Sequence, residues 1–265
     1  MKRKIKVALG QFASRQGDVI HNIAKAEKFI YKAADRGADI ICLPELFATG
    51  CNLDLFGDSI IKQSIENYKL IYDRMSRAAG DNYINLIAPF VMVDEHGLKN
   101  SSFLFSRNGE LLEVYSKTHL LGNEKNYFTE GNALNTVETD IGKIGMLISK
   151  DACFPETART LCLKGADMIF ISSSTRFENE NAWNLIIPSR ALENNMFVFG
   201  VNSTATEGDF QLAGKSKACS PKGEIILQMG RDDDELSICE IELEKIVEAR
   251  SSVGYISNIR TEIYY

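Results

Sequence analysis

Apolar positions along this chain fall into two alternating periods. Short runs rich in Ile, Val, Leu and Phe, at Ile5 to Leu9 and Asp39 to Leu43, read as buried strands. Between and after them, segments from about Asp18 to Asp35 and from about Ser59 to Ala79 carry apolar residues at helical spacing. The same order returns later as strand Gly145 to Ser149, helix Glu156 to Leu163, strand Asp167 to Ser172, a helix from about Trp183 to Asn194, and strand Phe197 to Asn202. Such alternation predicts an α/β fold. Arg36-Gly37-Ala38-Asp39-Ile40-Ile41 and Lys164-Gly165-Ala166-Asp167-Met168-Ile169 each set a glycine at a helix C-terminus just ahead of a buried strand. Asn108-Gly109 and Lys222-Gly223 are turn dipeptides that join Phe103 to Ser106 with Leu111 to Tyr115, and Lys215 to Cys219 with Glu224 to Gln228. Two related half-units, each extended by a hairpin, are expected to pack as a single domain over residues 1–265. The stretch after Ile246 shows little periodicity and ends in Ile263-Tyr264-Tyr265, a tail expected to reach a partner subunit.

Composition narrows the classes. A chain of 265 residues with 45% hydrophobic residues can bury a substantial core. Its net charge of -6 is spread evenly, without the clustered basic footprint that a phosphate backbone requires. The longest apolar runs, such as Ile40 to Leu43 and Ile144 to Ile148, stop well short of the roughly 20 residues that span a bilayer. The basic start Met1-Lys2-Arg3-Lys4 leads into polar residues without a signal-peptide core. A cytoplasmic protein with neither nucleic-acid nor membrane partners is expected. Cys42, Cys51, Cys153, Cys162, Cys219 and Cys239 form no C-x-x-C pair, and His21, His96 and His119 are dispersed. Reduced thiols and no metal or other cofactor are therefore expected.

Three segments hold candidate chemistry. Glu45 follows an apolar strand through Pro44, at a strand end where α/β folds build their sites. Lys117 lies in Tyr115-Ser116-Lys117-Thr118-His119-Leu120, where simple strand alternation puts a lysine in solvent. The third segment, Gly145-Met146-Leu147-Ile148-Ser149-Lys150-Asp151-Ala152-Cys153-Phe154-Pro155-Glu156, is an apolar strand breaking into a tight turn before a helix near Pro155. A residue at such an elbow is exposed for attack, and the backbone N–H groups after it can face an oxyanion. Here that residue is Ser149.

In order, spacing and flanking residues these segments resemble the nitrilase superfamily, with its Leu-Pro-Glu, Tyr-x-Lys-x-His-Leu and Ile-Cys-x-Asp-x-x-Phe-Pro-Glu patterns. The likeness extends to Gly10-Gln11, Ser189-Arg190-Ala191-Leu192-Glu193-Asn194, Asn202, Ser216, Pro221-Lys222-Gly223 and Arg260-Thr261-Glu262-Ile263-Tyr264. The resemblance implies a four-layer α-β-β-α sandwich of two mixed sheets with internal pseudo-two-fold symmetry, assembled as a homodimer or higher homo-oligomer. It implies Glu45 as general base, and Lys117 with the Lys150 backbone N–H as oxyanion stabilisers. Glu124 would be a second glutamate beside the site, against a merely local pairing with Lys125. The implied reaction is hydrolysis of a small linear non-peptide amide or N-carbamoyl compound through a cysteine thioester, releasing ammonia.

Ser149 departs from that pattern. A thiol ionises near pKa 8.5, whereas an alcohol stays un-ionised at neutral pH. A cysteine-to-serine substitution that inactivates the chain is the expected reading; a natural non-catalytic binding protein and a nucleophile shifted to Cys153, otherwise a partly buried spectator thiol, are the alternatives. Nitrile hydrolysis is less favoured, because Lys150-Asp151 stands where nitrilases carry Trp-Glu. Lys150 and Arg176, the latter after Ser172-Ser173-Ser174-Thr175, are expected to bind a substrate carboxylate, the alternative for Arg176 being a salt bridge to Glu178 or Glu180.

Overall fold

The computed structural model describes residues 4–207 and 210–263, so Tyr264 and Tyr265 of the expected tail lie outside the described residues. The first half runs β1 (Lys4–Gln11), α1 (Val19–Asp35), β2 (Ile40–Cys42), α2 (Leu53–Asp81), β3 (Asn85–Asp94), β4 (Gly97–Phe105) and β5 (Leu111–Ser116). The second runs β6 (Thr136–Thr139), β7 (Gly142–Ile148), α3 (Pro155–Leu163), β8 (Met168–Ser173), α4 (Glu180–Asn194) and β9 (Phe197–Asn202). There follow β10 (Thr206–Glu207), β11 (Phe210–Gln211), β12 (Lys217–Cys219), β13 (Ile225–Gln228), β14 (Glu235–Glu242) and α5 (Glu244–Val253).

Two six-stranded mixed sheets result, ordered β14-β1-β2-β3-β4-β5 and β13-β12-β9-β8-β7-β6. Read from its other edge, the second sheet repeats the first: an antiparallel edge strand, three parallel strands, then two antiparallel ones. The mirrored glycine motifs therefore mark a true internal repeat, with Gly37 at φ 75° and Gly165 at φ 88° ending corresponding helices.

Strand alternation sorts the layers. Val7, Leu9, Ile40 and Cys42 join one buried cluster with β7, β8 and β9, while Ala8, Ile41 and Leu43 join another with α1 and α2. Asp18 starts α1 by accepting a hydrogen bond from the His21 backbone N–H at 3.2 Å. Ile23, Ala26, Ile30 and Ala33 then recur on its buried face, where Ile23 and Ile30 each contribute roughly 1.5–3 kcal/mol of transfer free energy.

Three elements depart from the sequence expectation. Helix α2 begins at Leu53 rather than near Ser59, and its first turns include Gly57, where a Cβ would sit 2.3 Å from the Tyr127 hydroxyl oxygen. Helix α4 begins at Glu180 rather than Trp183 and continues past Pro188. The stretch after Ile246 is not aperiodic, since Glu244–Val253 is helical; Ile246 and Ala249 are its buried apolar residues among the described side chains, and so short a helix leaves a faint pattern. No helix among the described residues is long and apolar enough to cross a membrane.

Candidate active site

The parallel strands β2, β7 and β8 all deliver their C-terminal ends to one place, the position at which α/β sheets open a crevice. Glu45 follows β2 and is 3% exposed. Lys117, one residue past β5, is buried to the same degree, where strand alternation alone would have put a lysine in solvent. Its backbone N–H donates to the Asn100 carbonyl and its carbonyl accepts from the Gly131 N–H, each at 2.8 Å, so the pairing extends past the strand and turns the side chain inward. Gly131 allows this approach, because a Cβ there would lie 2.2 Å from the Ser116 carbonyl oxygen.

The Lys117 ammonium donates to Glu45 Oε1 at 3.0 Å and to Glu124 Oε1 at 2.5 Å. Glu45 is further held by Asn100 Nδ2 on Oε1 at 2.8 Å and by the Ser174 hydroxyl on Oε2 at 2.5 Å. Burial alone would raise the Glu45 pKa, but the Lys117 charge and the donated bonds outweigh it and hold the carboxyl below its ordinary value. Burial likewise opposes the charge on Lys117, yet the two flanking carboxylates keep its pKa above that of a free lysine. Glu124 goes the other way: burial, reinforced by repulsion from Glu45, leaves its pKa raised despite Lys117. The local partner considered for Glu124 is taken elsewhere, since Lys125 sits 4.0 Å from Glu130.

Ser149 opens a 3₁₀ turn, Ser149–Cys153, directly after β7, with φ 48°. A non-glycine residue in this left-handed region costs about 1–3 kcal/mol and persists only where neighbours enforce it. The Ser173 hydroxyl lies 3.4 Å from Ser149 Oγ. Asp151, fully buried in the same turn, accepts hydrogen bonds from Tyr115 Oη at 2.6 Å, Thr118 Oγ1 at 3.0 Å and the His119 backbone N–H at 2.9 Å.

A cavity of about 380 Å³ brings Glu45, Lys117, Glu124, Ser149, Lys150 and Arg176 together. The six residues expected to act on or bind substrate thus meet in one place. Cys153 does not line it: the thiol is exposed, not partly buried as expected, and borders a separate cavity of about 20 Å³ that Ser149 and Lys150 also touch. Arg176 pairs with neither Glu178 nor Glu180 but forms a salt bridge with Asp54, and its guanidinium lies 5.0 Å from the Phe210 ring centroid. Glu180 is instead occupied by Lys215 at 2.5 Å and Arg231 at 2.8 Å. Sequence reasoning missed Asp54, Asn100 and Ser174. Their partners lie 122, 55 and 129 residues away, and only the Ser172-Ser173-Ser174-Thr175 hydroxyl run offered a signal.

The sequence pattern of carbon-nitrogen hydrolases matches residues 6–251. The chain belongs to the carbon-nitrogen hydrolase family. It is 31% identical over 260 residues to the 2-oxoglutaramate amidase of Bacillus subtilis, covering 96% of this chain and 97% of that protein. To a nitrilase of Pyrococcus abyssi it is 32% identical over 265 residues, covering 98% and 99% respectively. In fold it is similar to a carbon-nitrogen hydrolase from Helicobacter pylori G27, with a TM-score of 0.89 at 24% identity over 99% of this chain and 97% of the other. Its two mixed six-stranded sheets with flanking helices agree with the α-β-β-α sandwich that the resemblance implied. Among its described residues no group of His, Cys, Asp and Glu could hold a metal ion.

Proposed function

We propose that this site is built to hydrolyse a small linear amide, or an N-carbamoyl compound, that carries an anionic group, and that Ser149 leaves the chain able to bind such a compound while turning it over very slowly. The observation that carries the reading is the buried Glu45–Lys117–Glu124 cluster, which shares one cavity with the elbow residue Ser149 and with Arg176. In this scheme a nucleophile at position 149 attacks the amide carbon, and Glu45 takes its proton and returns it to the departing ammonia. The Lys117 ammonium and the Lys150 backbone N–H stabilise the tetrahedral oxyanion. Glu124 positions Lys117, and water then releases the acid. A thiol suits this machinery because its proton leaves readily. A serine hydroxyl does not, since the factors that depress the Glu45 pKa also make it a weak base.

The family includes proteins named for amides and for nitriles, and the relatives above bear both names at nearly equal identity. Lys150-Asp151 after position 149 and the cation Arg176 beside the cavity favour the amide reading, with a carboxylate at the far end of the substrate. The name of the B. subtilis relative agrees with that class. Asp54 neutralises Arg176 here, so the substrate's carboxylate would have to displace it.

Calorimetric titration of the chain with ω-monoamides of short dicarboxylic acids tests the reading without any turnover. Binding is expected, and Arg176→Ala should weaken it about 10- to 100-fold while leaving the binding of uncharged amides of equal length unchanged. Unaltered affinity for the acidic amides in that variant would dismiss Arg176 as the carboxylate's partner. The second reading, a non-catalytic binding protein, rests on Ser149 itself and is separated from the first by the Ser149→Cys variant.

The two glutamates also set a pH signature. On acidification Glu124, with its raised pKa, takes a proton before Glu45, whose pKa is lowered, and Lys117 then loses one of its two anchors. The kcat/KM of Ser149→Cys should accordingly fall along an acid limb above the ordinary carboxylate range, about pH 4.3. Adding Glu124→Gln should move that limb to lower pH; an unmoved limb would assign it to another group.

A further inference from the structure

We infer that Asp151 is a positioning residue that sets the residue-149 elbow against the segment carrying Lys117. Its side chain bridges two stretches of chain, each holding one half of the proposed chemistry. On the elbow side, the Ile148 backbone N–H donates to Asp151 Oδ2 at 3.2 Å, a bond that closes across Ser149 and brackets the one residue of the turn with a positive φ. On the other side, Tyr115, Thr118 and His119 flank Lys117. The Tyr115 hydroxyl reaches Oδ2 at 2.6 Å, while the Thr118 hydroxyl, the His119 backbone N–H and His119 Nδ1 reach Oδ1 at 3.0, 2.9 and 2.9 Å. The His119 ring stacks on Phe154 with centroids 3.8 Å apart, which fixes its approach to the carboxylate.

The chemistry of this acceptor explains why a carboxylate is needed. Two oxygens must accept from donors on both segments at once, and an ionised carboxyl does so with every lone pair directed outward. An amide would present an NH₂ to one group of donors. Asp151 is fully buried, so each donor left facing nothing keeps its desolvation cost and the segments separate. Strain at Ser149 needs an enforcing contact, and the Ile148–Asp151 bond supplies it. Asp151 also anchors α3 through its own carbonyl, which accepts from Thr157 Oγ1 at 2.9 Å. That second contact is purely structural and provides a control.

The inference rests on position 149 being the nucleophile's place, but its test needs no substrate. A thiol introduced as Ser149→Cys shares its cavity with Lys117, Lys150, Glu45 and Glu124, and its ionisation and reactivity depend on how closely Lys117 is held. The rate and pH profile of alkylation of this thiol by iodoacetamide are measured in Ser149→Cys alone and with Asp151→Asn, Tyr115→Phe or Thr157→Val added. At neutral pH, Asp151→Asn is expected to slow alkylation about 10- to 100-fold and to shift the profile to higher pH. Tyr115→Phe, losing a single donor, should move both in the same direction by less. Thr157→Val should lower the melting temperature and leave rate and profile alone. Should Asp151→Asn fail to fold, Tyr115→Phe decides against Thr157→Val. Equal profiles in those two would overturn the positioning role, whereas failure of every amide in a substrate panel would count only against the proposed function.

Discussion

Ser149→Cys is expected to raise ammonia release from small acid-bearing amides by ~10³-fold or more over the serine chain, the scale on which an enzyme responds to its nucleophile. The argument is one of proton affinity within a fixed frame. Glu45 is held by three donors, from Lys117, Asn100 and Ser174, that favour its ionised form, and a base so stabilised cannot lift a proton from an alcohol at useful frequency. A thiol needs no such help, because Lys117, whose pKa is raised, remains an ammonium in the same cavity and favours the thiolate. Cysteine also differs from serine by a single atom, so the strained backbone at φ 48° can stay as it is. Ammonia assayed under reducing conditions, across amides and carbamoyl compounds with and without a terminal carboxylate, measures the gain. Turnover in the cysteine variant alone would establish an inactivated hydrolase, and the best substrate would define its branch. If the cysteine variant were as inert as its parent on every compound, the reading as an amidohydrolase would fail and the binding-protein reading would take its place.

Local order along the chain made the fold readable. Asp18 at the head of α1, the Gly37 and Gly165 helix ends, and the period-2 strands all express short-range rules, and the structure places each as expected. Short-range rules fail where a residue's neighbour comes from far along the sequence. The first turns of α2 fall outside the expected helix, and nothing near Gly57 in sequence reveals the Tyr127 ring packed against it. Lys117 reads as a surface residue because the two carboxylates that bury it stand 72 residues before and 7 residues after it. What located Lys117 and Glu45 was a motif, and a motif names residues without giving their contacts. Arg176 shows the limit plainly: its loop offered Glu178 and Glu180, and the partner is Asp54 on α2, across the cavity mouth.

Those buried contacts carry an unequal energetic consequence. Glu45→Gln leaves Lys117 with Glu124 as a partner, so the cation stays compensated and the loss of stability should be modest. Lys117→Met leaves Glu45 and Glu124, with side chains 2% and 15% exposed, facing each other without a cation. Breaking a buried pair from that side costs about 3–5 kcal/mol. The pH dependence should differ as well: between neutral pH and about 5 the parent keeps the Glu45 contribution and gains only through the raised pKa of Glu124, whereas the variant should gain more steeply. In the parent, the lowered pKa of Glu45 contributes stability that is present above the unfolded-state value of about 4.3 and is lost as pH falls through the folded-state value. Without Lys117, burial and Glu124 would raise the Glu45 pKa above its unfolded value, and the variant should gain stability as pH falls from neutral toward about 5. Urea unfolding midpoints of the parent, Glu45→Gln and Lys117→Met at the two pH values read both effects. A Lys117→Met protein no less stable than Glu45→Gln at neutral pH, or one that gains stability as pH rises, would mean that the two carboxylates find other compensation and that Lys117 is not the charge on which this cluster depends.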